Sequence, residues 1–253
     1  MRKVLITGAS GGIGLGVAKL LAAKKYQITL VARREEALNK AKNSLAGIGH
    51  TIHVCDLTKP EDVQKLVTHI EGHSYDILIN NAGVGMYGQF IQMPLDEQLS
   101  SMQLNMNTLV VLSYAFLKKA KSGDALVNVA SMLGHSSFPG ASVYAATKSF
   151  VANFSESLWF EFKKKNIFIL GFNPGATRTD FHSNAGGETS SYPEFVLSNI
   201  EDVANDLVRA LEKRNKPRVV SGWKNRMMLF TFKLLSRSTA VNIMGGISPG
   251  MKY

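Results

Sequence analysis

The sequence predicts an α/β fold, a doubly wound parallel sheet with helices on both faces. Three observations carry this reading. Apolar runs of strand length alternate with stretches of helical periodicity from one end of the chain to the other. The strand-like runs are nearly continuously apolar, the pattern of parallel strands covered on both sides. The first of them leads straight into a glycine-rich turn with a helical stretch behind it.

In order, the strand-like runs are residues 3–7, 27–31, 51–54, 76–80, 125–129, 167–173 and 217–221. Helical periodicity fills residues 14–24, 35–47, 60–71, 95–121, 142–165 and 200–213 between them. Lys163-Lys164-Lys165 closes the fifth of these, where cations complement the helix dipole. Right-handed crossovers place a ligand at the C-terminal ends of such strands. No linker, low-complexity tract or repeat interrupts the 253 residues, so a single domain is expected over 1–253.

Composition narrows the function classes. The chain is 45% hydrophobic and 19% charged, enough apolar material for a core and too much for disorder. One cysteine, Cys55, excludes an intramolecular disulfide and fits a reducing compartment. The apolar run after Met1-Arg2-Lys3 ends within four residues at Thr7-Gly8, too short for an export signal. No stretch approaches the roughly 18–20 apolar residues of a membrane span, so a cytoplasmic protein is expected. The net charge of +10 draws anionic ligands, but no nucleic-acid recognition motif accompanies it. His69 and His73 stand four apart without a His-Glu-x-x-His pattern, and no metal site is expected.

The ends of the strands carry the chemistry. In Thr7-Gly8-Ala9-Ser10-Gly11-Gly12-Ile13-Gly14, glycines let the backbone turn sharply and approach a pyrophosphate, with the helix dipole behind it. The second strand ends Val31-Ala32-Arg33-Arg34, where NAD-binding chains usually carry an acid. Arg33 there suits a 2′-phosphate, held in a charge-assisted pair, and predicts NADP(H) over NAD(H). Asp56 and Leu57 follow the third strand and are placed to meet an adenine. Asn80-Asn81-Ala82-Gly83 ends the fourth, small residues and amides that suit a turn walling a cofactor.

Tyr144 and Lys148 lie at i and i+4 on one helix face, with Ser131 thirteen residues before the tyrosine. A cation roughly 4 Å from a phenol is worth about 4 kcal/mol at an effective dielectric of about 20. That favours the phenolate and brings Tyr144 toward working pH, where proton transfer is most efficient. Tyr144 can then move a proton to or from an alcohol oxygen, and Ser131 can hold that oxygen where charge develops.

Taken together, Thr7–Gly14, Asp56, Asn80–Gly83, Ser131, Tyr144-x-x-x-Lys148 and Pro174-Gly175 resemble the short-chain dehydrogenase/reductase family in order and spacing. The resemblance covers residues 1 to about 180. It implies a Rossmann-type fold with a seven-stranded parallel sheet, a nicotinamide cofactor and a homodimer or homotetramer. It implies that Gly8, Ser10, Gly12, Ile13, Gly14, Asn81, Ala82 and Gly83 border the cofactor, with Tyr144 and Lys148 at its nicotinamide ribose. Pro174, Gly175, Thr177 and Thr179 would lie under the nicotinamide, the threonines bonding its carboxamide. The family's fourth member, an asparagine that holds a water relay to the lysine, falls on Asn105 or on its neighbour Asn107. Asn105 aligns better, although Thr108 stands where the family commonly has glycine.

The expected function is thus NADP(H)-dependent hydride transfer between nicotinamide and a ketone, aldehyde or secondary alcohol. Two rivals stand beside it. A sugar-nucleotide epimerase or dehydratase usually has Thr-Gly-x-x-Gly-x-x-Gly and a longer C-terminal part. A cofactor-sensing scaffold has no need of Ser131, Tyr144 and Lys148 together.

Residues 181–253 resemble nothing specific. Residues 181–199, with Gly186-Gly187 and Ser190-Ser191, read as a loop that caps the substrate. Residues 223–244 combine Met227, Met228, Leu229, Phe230, Phe232, Leu234 and Leu235 with Arg226, Lys233 and Arg237 at helical spacing. Such a helix can wall an apolar pocket, form a subunit contact or lie on a membrane surface. The first two rank ahead here, and a lipophilic substrate is expected. His135 is a further candidate for the pocket lining.

Overall fold

A computed structural model describes residues 1–186 and 194–251. Seven strands, β1 (Lys3–Thr7), β2 (Gln27–Ala32), β3 (Thr51–Val54), β4 (Ile77–Asn80), β5 (Ala125–Val129), β6 (Phe168–Asn173) and β7 (Arg218–Val220), form one sheet. Their order is β3-β2-β1-β4-β5-β6-β7, every neighbouring pair parallel. The order reverses between β1 and β4, and the crevice at that reversal is where doubly wound sheets take ligands.

The period-two pattern of the strands divides the core. Val4, Ile6, Ile77, Ile79, Val127, Leu170 and Phe172 point to one side. There they meet α1 (Gly12–Ala23), α2 (Glu35–Asn43) and α8 (Ile200–Lys213). Leu5, Leu78, Leu126 and Ile169 alternate to the other side, against α3 (Pro60–Gly72) and α5 (Leu109–Leu117). Helix α6 (Ser142–Phe162) lies on that second side, where Ser155 bonds Asn128 of β5 at 3.1 Å. Local chemistry fixes the helix ends. Helix α3 opens with Pro60 at its first turn and Glu61 and Asp62 behind it, which suits the dipole. After α6 a short turn carries Lys163–Lys165 and ends at Asn166, left-handed at φ 53°.

Two expected helices are divided. The stretch expected over 95–121 is α4 (Leu95–Met102), a π turn (Gln103–Thr108) and then α5. The segment expected as one amphipathic helix over 223–244 is α9 (Trp223–Lys233) and α10 (Arg237–Ile247). Ser236 makes the break, its hydroxyl accepting from Thr239 N at 3.2 Å as the N-cap of α10. In between, α7 (Phe181–Asn184) is a single turn. Gly187, Ser190 and Ser191 of the expected capping loop lie outside the described residues. Among those described, no helix is long and apolar enough to cross a membrane.

Candidate active site

The glycine turn is fixed by its approach to the loop after β4. Gly8 has φ +64°, and a Cβ there would stand 2.8 Å from Ala82 Cα. At Gly14 a Cβ would stand 2.6 Å from the carbonyl oxygen of Gly8 and 2.5 Å from Asn81 Nδ2. Asn81 locks the two segments together, its amide donating to the carbonyls of Thr7 and Gly8 at 3.0 and 3.1 Å. Thr7 answers from the other side, its hydroxyl accepting from Asn81 N and Ala82 N, both at 3.0 Å. The outer side of the turn is open. Gly11 has nothing within 4 Å of a Cβ position, Ser10, Gly12 and Ile13 are half-buried, and α1 has no side-chain cap. An uncapped helix N-terminus behind a turn with room outside it fits a pyrophosphate.

The candidates for the far end of a dinucleotide follow β2 and β3, the two strands on one side of β1. Arg33 is exposed at the end of β2, and its charge reaches Asp56 at the end of β3. The Thr58 hydroxyl, 2.7 Å from Asp56 Oδ1, holds that carboxyl below its usual range, helped by the Thr58 N–H at 3.1 Å. Leu57 is buried beside it.

The catalytic candidates converge where β4, β5 and β6 end. Lys148 on α6 is 4% exposed, and its Nζ donates to Val129 O at 2.9 Å. Burial pushes its pKa down to about 8. Tyr144, one turn earlier, is also buried, with Lys148 Nζ 5.9 Å from the centroid of its ring. Ser131 Oγ, just past β5, accepts from Leu133 N at 3.2 Å. Gly134 lets this turn press against α6, for a Cβ there would stand 2.6 Å from Lys148 O. Met132 N donates to Pro174 O at 2.8 Å, tying the same turn to the loop after β6.

Of the two asparagines, Asn105 faces the site and Asn107 does not. Asn105 is buried within the π turn, accepting from Val84 N at 3.0 Å and donating to Val84 O at 2.9 Å and Thr147 Oγ1 at 3.2 Å. Asn107 is exposed and bonds only Gln103 of its own turn among the described contacts. Gly83 lies between Asn105 and Lys148, where a Cβ would meet Asn105 Oδ1 at 3.0 Å and Lys148 Nζ at 3.1 Å.

The loop after β6 completes the crevice. Thr177 is buried and bonds Gly175 O at 2.9 Å, and the Thr179 methyl would touch a Cβ at Gly12 at 3.4 Å. So residues 174–179 reach back to the head of α1. Asn225 packs directly behind Gly175, leaving no room for a side chain there. Phe181 sits with its ring centroid 5.6 Å from that of Tyr144, and Phe138, Met244, Tyr87, Leu133 and Phe232 join them in an apolar cluster. His135 instead lines a cleft of about 500 Å³ along α6 whose walls do not include Ser131, Tyr144 or Lys148.

Several of these contributors were not singled out from the sequence. Thr7 was read as the start of the glycine turn, but not for the hydroxyl that accepts from Asn81 N and Ala82 N. Thr147, Asn225, Phe181 and Met244 carry no local signal, since their partners lie far along the chain. Of the apolar residues expected to wall a pocket, Phe232 packs inward. Met227, Phe230 and Leu234 face away from the protein.

Comparison with known proteins bears on the family and the fold. The family model described as short chain dehydrogenase matches residues 2–189. A mouse 3-oxoacyl-[acyl-carrier-protein] reductase is 32% identical over 178 residues, 69% of this chain and 75% of that protein. Carbonyl reductase family member 4 of Xenopus laevis is 31% identical, over 71% of this chain and 77% of that protein. A short-chain dehydrogenase from Sphingobium yanoikuyae, solved in complex with NADPH, superposes with a TM-score of 0.80 at 29% identity. It covers 87% of each chain.

Proposed function

The chain belongs to the short-chain dehydrogenase/reductase family of oxidoreductases, and from that premise we propose an NADP(H)-dependent enzyme that interconverts a lipophilic ketone or aldehyde with its alcohol. One observation carries the proposal. Ser131, Tyr144, Lys148 and Asn105, drawn from three separate elements, meet at one crevice beside an open, uncapped glycine turn.

The bound nicotinamide supplies or takes the hydride. Tyr144 donates its proton to the carbonyl oxygen in reduction and takes it back in oxidation. Lys148, still largely protonated at neutral pH with a pKa of about 8, favours the phenolate by its charge and holds the nicotinamide ribose. Val129 O fixes its position. The Ser131 oxygen accepts from Leu133 N, which leaves its O–H to donate to the substrate oxygen as charge develops. Asn105 pins the backbone at Val84 and so holds the Gly83 turn against Lys148.

Arg33 supports NADP(H), since no acid stands at the end of β2 to bond a ribose hydroxyl and the NADPH-bound Sphingobium relative shares the fold. Asp56 and Leu57 would meet the adenine, and Thr177 and Thr179 the carboxamide. The apolar cluster around Tyr144 supports a lipophilic substrate, with residues 181–253 as the variable cap. Exposed Val111 and Tyr114 of α5 and Phe150 and Phe160 of α6 offer a face for a homodimer or homotetramer.

The test is nucleotide oxidation followed across carbonyls from small aldehydes to fatty and steroid-like ketones. NADPH is expected to support turnover better than NADH, with the bulky apolar substrates preferred. Tyr144→Phe is expected to lower kcat by about 10²–10⁴ while calorimetric NADPH affinity stays unchanged. A phenylalanine variant that keeps most of its activity overturns the proton assignment.

A further inference from the structure

Helix α9 turns an apolar stripe away from the protein. Trp223, Met227, Phe230 and, at its C-cap, Leu234 are 61, 56, 65 and 74% exposed. At 3.6 residues per turn these four fall within about 60° of arc. The opposite face is the buried one, with Asn225 against Gly175 and Phe232 in the cluster around Tyr144. The stripe is therefore not a misplaced core face. The inward side of α9 is already occupied, and the large side chains outside are surplus to it.

The charges around the stripe say what covers it. Lys224 lies on one flank, Arg226 and Lys233 on the other, all exposed. From Trp223 to the C-terminus the sequence holds five Lys and Arg residues and no Asp or Glu. The first 222 residues hold 24 cationic and 19 acidic side chains, so half of the net charge of +10 sits in this last segment. A second copy docking symmetrically on the same stripe would set these cations against their own kind. An anionic surface matches both the charge and the apolar row. A tryptophan at the edge of such a stripe is the side chain most at home at a membrane interface. Helix α9 starts just past β7, at the end of the sheet that carries Ser131 and Lys148.

We propose that α9 docks the protein peripherally on an anionic lipid bilayer. Trp223, Met227, Phe230 and Leu234 enter the headgroup boundary, and Lys224, Arg226 and Lys233 face the acidic lipid headgroups. This goes beyond the oxidoreductase reading and does not rest on it. Docking in this pose sets the apolar cluster beside Tyr144 close to the bilayer.

The test is co-sedimentation of the full chain with vesicles of phosphatidylcholine, either pure or containing about one-third phosphatidylserine. The chain is expected to bind the anionic vesicles at least about tenfold more tightly, and more weakly as salt rises. Trp223 emission should shift to the blue on binding. The combined variant Trp223→Ser, Phe230→Ser, Leu234→Ser should lose at least about tenfold in vesicle affinity, with the thermal midpoint and particle mass unchanged. Separately, Lys224→Gln, Arg226→Gln, Lys233→Gln should remove the preference for anionic lipid. No binding to either vesicle, or equal binding to both, overturns the proposal. So does a serine variant whose particle mass falls, because the stripe is then a contact between copies.

Discussion

The turn at the head of α1 and the last turn of α10 both use glycine, and they constrain it in opposite ways. At Gly14 a Cβ would stand 2.6 Å from a backbone oxygen, whereas at Gly246 it would meet nothing within 4 Å. The first end of the molecule is made by backbone pressed on backbone, at Gly8 against Ala82 and Gly14 against Gly8. Helices α9 and α10 are instead held by side chains laid on a frame, with Phe232 and Met244 in the cluster around Tyr144. Backbone contact permits one residue type and writes itself into the sequence as a motif. Side-chain packing accepts many solutions and writes no motif, which fits a family match that ends at residue 189.

The largest effect expected within this contrast is at Lys148, where function and stability pull apart. Its pKa of about 8 in the folded protein lies below the 10.5 of an ordinary lysine. Below pH 8 the ammonium is charged in both states, and the folded chain carries the full desolvation cost, about 3 kcal/mol. Between pH 8 and 10.5 the folded state has released the proton that the unfolded state still holds, so stability rises with pH. Above 10.5 the cost is gone. Lys148→Met is therefore expected to abolish turnover yet raise the thermal midpoint at pH 7 by roughly 2–4 °C per kcal/mol recovered. That advantage should fade from pH 8 to 10.5. A variant destabilised at pH 7 would show that the bond to Val129 O outweighs the burial cost.

A smaller effect is expected at Arg33. Arg33→Ala should weaken NADPH binding roughly 10- to 100-fold, the loss of a charge-assisted pair, and leave NADH binding as it was. Calorimetric titration with both nucleotides measures this, and an equal loss for both would remove Arg33 from the 2′-phosphate.

The matched glycines sharpen the comparison itself. Gly14→Ala should cost about 1–3 kcal/mol in urea denaturation, because neither the Gly8 carbonyl nor Asn81 can retreat without opening the turn. Gly246→Ala should be neutral or stabilise by up to about 1 kcal/mol, since it only narrows the unfolded ensemble. If the two substitutions proved alike, the distinction between the two ends of the molecule would fall.

The layout of the fold, and the candidates for its chemistry, were legible in the order of the residues. The alternation of apolar runs set the seven strands within a residue or two, because burial on both faces leaves a continuous apolar signature. Tyr144 and Lys148 were legible as a pair because four residues make one helical turn, and the glycine turn because only glycine fits there. Three things were left to the tertiary structure. Asn105 and Asn107 are two residues apart on a helix, nearly opposite in direction, and the π turn decided which one faces Lys148. The apolar segment after Trp223 could have been pocket wall, subunit contact or membrane surface. The break at Ser236 and the place of Asn225 behind Gly175 decided that Phe232 turns in and Phe230 turns out. The crevice itself joins residues as distant as Gly8 and Ala82, or Tyr144 and Met244. Spacing along a chain encodes contacts over about one turn or one strand pair. Contacts across the sheet depend on which strands lie side by side, and that is settled only when the whole core packs.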